Sequence, residues 1–463
     1  MKSIAEKNYA EQSTIKSVSR FYSQYRLGSI LKNVGAYKQK GVPVAIIFQY
    51  LVSLVYTGKS MFQDMRSTAP YAKGFHKDTV YRFLNKASVN WQLLLLSIAS
   101  KVTAEIESFT ASTRRSAFVV DDTMFLIPYA KAVELVSQVY DHADKGGNKY
   151  KWGFRMLSLG WTDGVSFVPL AFRHLASSDK GKRRCNCDNC LDKRSRAYRI
   201  RNEAISKAPD VMIAHLKAAL ASGIHAGYVL FDTWFAFPKT IIKVTKLGLH
   251  VTARVKNTPK IKYLMNDEKK SAKEIFDENK KRRGRSRYLL SVSVKLYSKE
   301  LDTQIPAKLV YVRNRQKRND WIALISTDTT LTEEEVVALY GKRWDIEVFF
   351  KICKSYLKLT GEFRQLSYDA ITAHTTIVMI RYMILAIEKR KQENPTSLDK
   401  LFFLSFDEIS DIRFEQALLL LMFLVTDTLR DAHLGLTDGQ MNQIMDNFLK
   451  KVPLNFQICL KII

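Results

Sequence analysis

Hydrophobic positions along the first part of the chain follow a helical period. After Pro43, a first-turn residue, Val44, Ala45, Ile46, Ile47, Tyr50, Leu51, Leu54 and Val55 recur at that spacing, and Trp91 to Val102 does likewise. These runs predict helices that bury a small core. The pattern then shortens to strand-like apolar runs. Ser116 to Val120 ends at Asp121, Asp122 and Thr123, and Gly227 to Phe231 ends at Asp232 and Thr233. Further such runs are Lys151 to Leu159, Gly164 to Ala171, His250 to Lys256, Tyr288 to Tyr297, Ala307 to Asn314 and Trp321 to Thr327. Thr332 with Glu335 forms a capping box and acids fill the next turn, so a helix is expected to start near Glu333 and to carry Glu347. From about Leu401 the chain reads as helical again. Its apolar stretch around 414 to 425 is either internal core or a dimer surface.

Charge changes this picture. Seventy-three Lys and Arg against 45 Asp and Glu leave a formal charge of +28 on a chain that is 46% hydrophobic, which describes a folded protein with a polyanionic partner. Nucleic acid is the expected partner. A membrane span is not expected, because the longest purely apolar run, Ala417 to Val425, is well short of the roughly 18 residues needed. The N-terminal MKSIAEKNYAEQS lacks an apolar signal core, and five cysteines make no disulfide framework. Both point to a reducing cytosol. Within the helical region, HKDTVYRFLNK (His76 to Lys86) mixes bases with aromatics, either as an element entering a DNA groove or as an ordinary basic surface helix.

Candidate chemistry is densest in YGKRWDIEVFFKICK. Tyr340, Arg343, Glu347, Lys351 and Lys354 follow at intervals of three, four, four and three, which on one helix stacks a single carboxylate among cations. Such a face suits a phosphate and a metal ion. Adjacent strand residues face opposite ways, so only one of Asp121 and Asp122 can join Asp232 and Glu347 in a site. Magnesium takes hard oxygen ligands, and a few acids plus substrate phosphate oxygens suffice to hold it. Two such ions can activate a water or hydroxyl and stabilise the departing oxygen of an in-line phosphodiester displacement. Taken singly, an Asp after an apolar strand is more often a turn or cap residue.

The spacing of Tyr340, Arg343, Glu347 and Lys354 resembles the signature of the bacterial insertion-sequence-four family of DDE transposases. The DDT at 121 to 123 and LFDTWF at 230 to 235 resemble its two aspartate motifs, and the family pattern of Asp directly before Thr favours Asp122. The resemblance spans about residues 115 to 390. It implies Asp122, Asp232 and Glu347 as ligands of two Mg2+ ions, with Mn2+ able to substitute, in cut-and-paste transposition of an insertion sequence. Water would attack at the terminal inverted repeats, and a 3'-hydroxyl would then attack the opposite strand, giving a hairpin, and later the target DNA. Tyr340, Arg343, Lys351 and Lys354 would hold phosphates near the cut, and Arg254 and Lys256 resemble positions that contact DNA backbone.

The expected fold is α/β, an RNase H-like core interrupted by a β-rich insertion. The divisions are a helical N-terminal DNA-binding region at 1–112, the first part of the core at 113–258, the insertion at 259–320, the second part at 321–390, and a helical C-terminal region at 391–463 that is a candidate for dimerisation. A homodimer on DNA in a bacterial cytoplasm, associated with the nucleoid, is implied. Trp344, Val348 and Phe349 are expected to face the core or a groove, and Trp234 to fill core beside its strand end. The basic run Lys280 to Arg287 reads as a phosphate tether or a charged loop. Cys185, Cys187 and Cys190, with His174 earlier in the chain, form a candidate zinc set against the alternative of a loop with free thiols. A metal-dependent nuclease that never joins ends, or a domesticated DNA-binding protein, are the competing functions.

Overall fold

A computed structural model describes residues 16–391 except 68–74, 112, 142–143, 145–148, 186–190, 283–285, 315–319 and 363–365, and beyond these 439–440, 443–444 and 447. The apolar stretch 414–425 and the cysteines Cys187 and Cys190 lie outside the described residues.

The chain starts with helices α1 (Lys16–Gln24), α2 (Leu27–Asn33), α3 (Val44–Leu54), α4 (Met61–Ser67), α5 (Lys77–Leu84) and α6 (Trp91–Ser108). Pro43 stands at the start of α3 as its sequence predicts, and Asn90 caps α6 by accepting from the Leu93 amide. Strands β1 (Ala117–Leu126), β2 (Ser137–Tyr140), β3 (Tyr150–Thr162) and β4 (Phe167–Leu175) follow, then α7 (Arg196–Ala204), α8 (Ala208–Ala221), β5 (Tyr228–Phe231), α9 (Pro238–Thr245) and β6 (His250–Arg254). Next come β7 (Tyr263–Met265), β8 (Glu268–Lys270), α10 (Ala272–Glu278), β9 (Tyr288–Ser298), β10 (Thr303–Arg313) and β11 (Trp321–Ser326). After them stand helices α11 (Glu333–Gly341), α12 (Trp344–Ser355) and α13 (Tyr368–Lys391).

The described strands form one large, mostly antiparallel sheet in a mixed α/β architecture. Its centre runs β4-β3-β1-β5-β6, with β1 antiparallel to β3 and parallel to β5, and β5 parallel to β6. Beyond β6 the sheet continues antiparallel through β11, β10, β9, β7 and β8. Strand β4 is buried at every residue, against α6, α8 and α13, as a strand covered on both faces must be.

Two expectations about elements change. Strand β1 does not stop at Val120: it continues through Asp121 and Asp122 to Leu126, because both acids keep antiparallel partners, Ser158 and Leu157, on β3. The helix expected from Glu333 through Lys354 is two helices. Its capping box at Thr332 and Glu335 is formed, but the run breaks after Gly341, at Lys342 and Arg343. A weak helix former sits at the break, and the Lys342 ammonium is drawn aside to donate to the carbonyls of Arg115 (2.5 Å) and Asp163 (3.2 Å). The Lys342 chain lies on Gly164, whose φ of +89° calls for glycine.

The N-terminal helices share their core with the rest of the protein rather than burying a small one of their own. One apolar cluster runs from Val18 through the sheet to Ile387. At its centre is α13, which is long and apolar enough to cross a membrane but whose apolar window is wholly buried by protein. A helix apolar all round is satisfied by such a position. Arg381 ties the layers together. Its fully buried guanidinium donates to the Leu51 and Val52 carbonyls of α3, to Leu357 O at 3.2 Å, and to the Glu362 carboxylate. Replacing Arg381 by Met would leave Glu362 as an unpaired buried charge, so Arg381→Met should lose about 3–5 kcal/mol of stability in urea unfolding. Unchanged unfolding would show that this network does not hold the layers together.

Candidate active site

Register decides which acids can meet. Strands β1 and β5 are parallel with Val120 opposite Phe231, so one step further along both chains stand Asp121 and Asp232, side by side at the sheet's C-terminal edge. Parallel partners point to the same face. The face is Asp121's, and Asp122 projects to the other.

Helix α12 supplies the third acid from above. Thr162 at the end of β3 donates to Asp345 Oδ2 at 2.6 Å, and Phe349 packs on Phe167 (ring centroids 5.1 Å apart) and Tyr382 (4.9 Å). These contacts fix the first turns of α12 over the sheet, with Glu347 directed back at β1. Between the acids lies Arg343. Its Nη1 donates to Asp121 Oδ2 at 2.8 Å and its Nη2 to Glu347 Oε1, while its guanidinium carbon lies 5.8 Å from the Tyr340 ring centre.

Electrostatics bind the same group together. Burial pushes the Asp121 carboxyl up to about 7, Arg343 opposes the rise, and the charges of Asp232 and Glu347 add to it. Tyr340 is also raised well above a normal phenol, first by burial and then by Asp232, against the pull of Arg343 and Arg254. Asp232 Oδ1 is buried with no hydrogen-bond partner. Such an orphaned carboxylate oxygen is costly unless a cation meets it.

The expected residues therefore divide. Asp232, Glu347, Arg343 and Tyr340 come together, joined by Asp121 where Asp122 was expected. Asp122 instead pairs with Arg155 of β3. Lys354 reaches the same strand, donating to Thr123 Oγ1 at 2.6 Å. Lys351 is exposed on α12, and Arg254 and Lys256 are exposed at and just after the end of β6. Trp234 does not fill the core: it is 49% exposed, with Lys256 Nζ 5.2 Å and Arg155 Cζ 5.6 Å from its ring centre. Trp344 (61%) and Val348 are likewise exposed, and of that trio only Phe349 is buried. Arg155 was missed by sequence reasoning, although a lone Arg in the run KWGFRMLSL was a visible signal.

The cysteine cluster divides too. Cys185 is half-buried and its carbonyl accepts from Leu135 N, whereas Cys187 and Cys190 lie outside the described residues. His174 is fully buried among Phe125, Phe154 and Phe172 and bonded to Thr375, so it is engaged in the core.

The donor set fits a hard divalent cation in its chemistry. It offers three carboxylates, one with an orphaned oxygen and one held high by burial and its acidic neighbours. Their oxygens stand apart with Arg343 between them, for among the described residues no three His, Cys, Asp or Glu side chains are close enough to hold one ion.

The raised Asp121 value has a consequence for stability. An acid lifted from 3.8 to about 7 in the folded state keeps its proton where the unfolded chain has lost it. Stability is then lost as pH rises from about 4 through 7. Asp121→Asn, which cannot ionise, should gain on the wild type by about 2–5 °C in Tm between pH 5 and pH 8. A difference that does not change with pH would contradict the shift.

Residues 49–292 match the model of a family described as DDE superfamily endonuclease. The matched span runs from within α3 through α6 and both aspartate-bearing strands into β9, and it ends before Glu347. Comparison with curated proteins finds no match. Since the family model covers more than half of the sequence and both strands that carry the paired aspartates, this chain belongs to the DDE superfamily endonucleases.

Proposed function

We propose that the protein is a DNA transposase of the insertion-sequence-four type, which cuts at the terminal inverted repeats of an insertion sequence and joins the freed ends to target DNA. The observation that carries this reading is the meeting of Asp121, Asp232 and Glu347 around Arg343. Membership of an endonuclease family supports cleavage of DNA. The strand order β4-β3-β1-β5-β6, with two parallel pairs following an antiparallel start, favours an RNase H-like core. In this reading residues 113–258 and 321–390 form that core, and 259–320, which carries β7 to β10, is the β-rich insertion.

Asp121, Asp232 and Glu347 would hold the divalent cations, Mg2+ or Mn2+. Such ions, when bound, supply charge neutralisation at the phosphate and a lowered pKa for an attacking water or hydroxyl. The chain's own groups do the rest. Arg343 offers a bidentate fork to a phosphate, and Tyr340 beneath it limits where the fork can lie. Lys354 and Lys351 extend the cationic track along α12, and Arg254 and Lys256 extend it along β6. Trp234, exposed between Arg155 and Lys256, offers a flat apolar face to a strand unpaired at the cut. The N-terminal helices, including α5, would bind the repeat, and a homodimer would bring two ends together.

Cleavage and joining of the DNA that flanks the reading frame test the proposal. Asp121→Asn, Asp232→Asn and Glu347→Gln should each retain DNA binding and lose strand cleavage by more than the 10–100-fold typical of removing an outer partner of a metal ligand. Asp122→Asn should cut at a rate within about tenfold of the wild type, because its partner is Arg155 and not the ion. Loss of cutting in Asp122→Asn with retention in Asp121→Asn would reverse the assignment. Cutting without joining would make the protein a nuclease.

A further inference from the structure

Arg343 is engaged by the two acids that are to share an ion. The guanidinium spends Nη1 on Asp121 and Nη2 on Glu347, so each carboxylate gives an oxygen to the same cation. Its side chain is only 13% exposed and that of Asp121 20%, so water screens this pair less than the pair with Glu347, which is 35% exposed. The third acid makes no such contact, for Asp232 Oδ1 is buried and without a partner. Nowhere among the described residues do three ligating side chains converge on one point. Asp121 Oδ1 accepts from the Asp122 amide at 2.8 Å, so a divalent cation held by all three acids would compete with the guanidinium for Asp121 and Glu347.

That exchange needs somewhere for the fork to go. A planar guanidinium matches a phosphate as well as it matches a carboxylate. Neighbouring cations that would gather a phosphodiester at this edge are already present in Lys354, 2.6 Å from Thr123 on the same strand, and in exposed Lys351 and Arg254.

We propose that Arg343 is an internal counter-ion which keeps Asp121 and Glu347 apart from divalent cations until a DNA phosphate takes its guanidinium. Loading of the ion is thereby coupled to arrival of the substrate. The inference rests on the three-acid reading of the site, and it adds an order of events to that reading.

The test uses the full chain without DNA, with Mn2+ alone as the probe, read from the electron paramagnetic resonance of the free ion at pH 8. Arg343→Gln should bind Mn2+ at least about tenfold more tightly than the wild type, since the competing charge is gone. Arg343→Lys keeps the charge but cannot fork, and should fall between the two. Once an arbitrary DNA duplex is added, Glu347→Gln should bind Mn2+ more weakly than the wild type. Arg343→Gln should also bind an arbitrary DNA duplex several-fold more weakly at fixed salt, having lost a phosphate contact.

Equal or weaker Mn2+ binding by Arg343→Gln without DNA, with Glu347→Gln weakened once the duplex is present, overturns the counter-ion and leaves the three-acid site standing. Glu347→Gln indistinguishable from the wild type with the duplex present removes that site and the inference with it. Duplex affinity unchanged in Arg343→Gln overturns the role of the phosphate. If circular dichroism shows Arg343→Gln unfolded, Arg343→Lys decides: tighter Mn2+ binding than the wild type supports the counter-ion, and equal or weaker binding overturns it.

Discussion

Three carboxylates facing one another at the edge of a buried sheet repel, and the structure around them is arranged to bear that cost. Asp121 and Asp232 are neighbours because β1 and β5 are parallel and in register. Glu347 is brought to them because Thr162, Phe167 and Tyr382 hold α12 by Asp345 and Phe349. Burial raises the Asp121 carboxyl first, and the charges of Asp232 and Glu347 add to the rise, so the cluster would be costly without a cation. Arg343 offsets part of that cost. Proteins accept destabilised groups of this kind mainly where function needs them.

The break between α11 and α12 belongs to the same arrangement. Lys342 and Arg343 keep helical backbone angles across it, so Arg343 still reaches both Tyr340 and Glu347. Lys342 is fastened to the Arg115 and Asp163 carbonyls, and Asp163 is itself gripped by Arg114 and Arg390. Anchoring one residue before Arg343 fixes the direction from which the guanidinium enters the acids. The N-terminal helices share in this, because Arg114 follows α6 and Arg390 lies in the last turn of α13, so the helical layer and the site are braced through one buried aspartate.

Much of this was legible in the sequence, and the failures have physical causes. Helical periods after Pro43 and from Trp91, the capping box at Thr332, and the apolar strand runs all correspond to elements, since each depends on local pattern. That an acid on the first strand would meet Asp232 and Glu347 was also legible. Which acid it would be was not, because alternation leaves two choices and only the pairing with β5 selects Asp121. The split of the last motif across two helices depends on the tether of Lys342 to residues far away in the chain, which no local period records. Exposure of Trp234, Trp344 and Val348 defeated the rule that apolar residues near strand ends and on helices pack inward. Their exposure beside a cationic edge suits a surface that receives a polyanion.

The central claim is that Asp121, Asp232 and Glu347 form one cation site. A crystal of the DNA complex soaked in Mn2+ and measured at the manganese absorption edge tests it most directly. The account predicts an anomalous peak within coordination distance of all three acids, with Arg343 moved onto a phosphate. A peak held by Asp122, or manganese bound elsewhere with Arg343 still bridging Asp121 and Glu347, would contradict it.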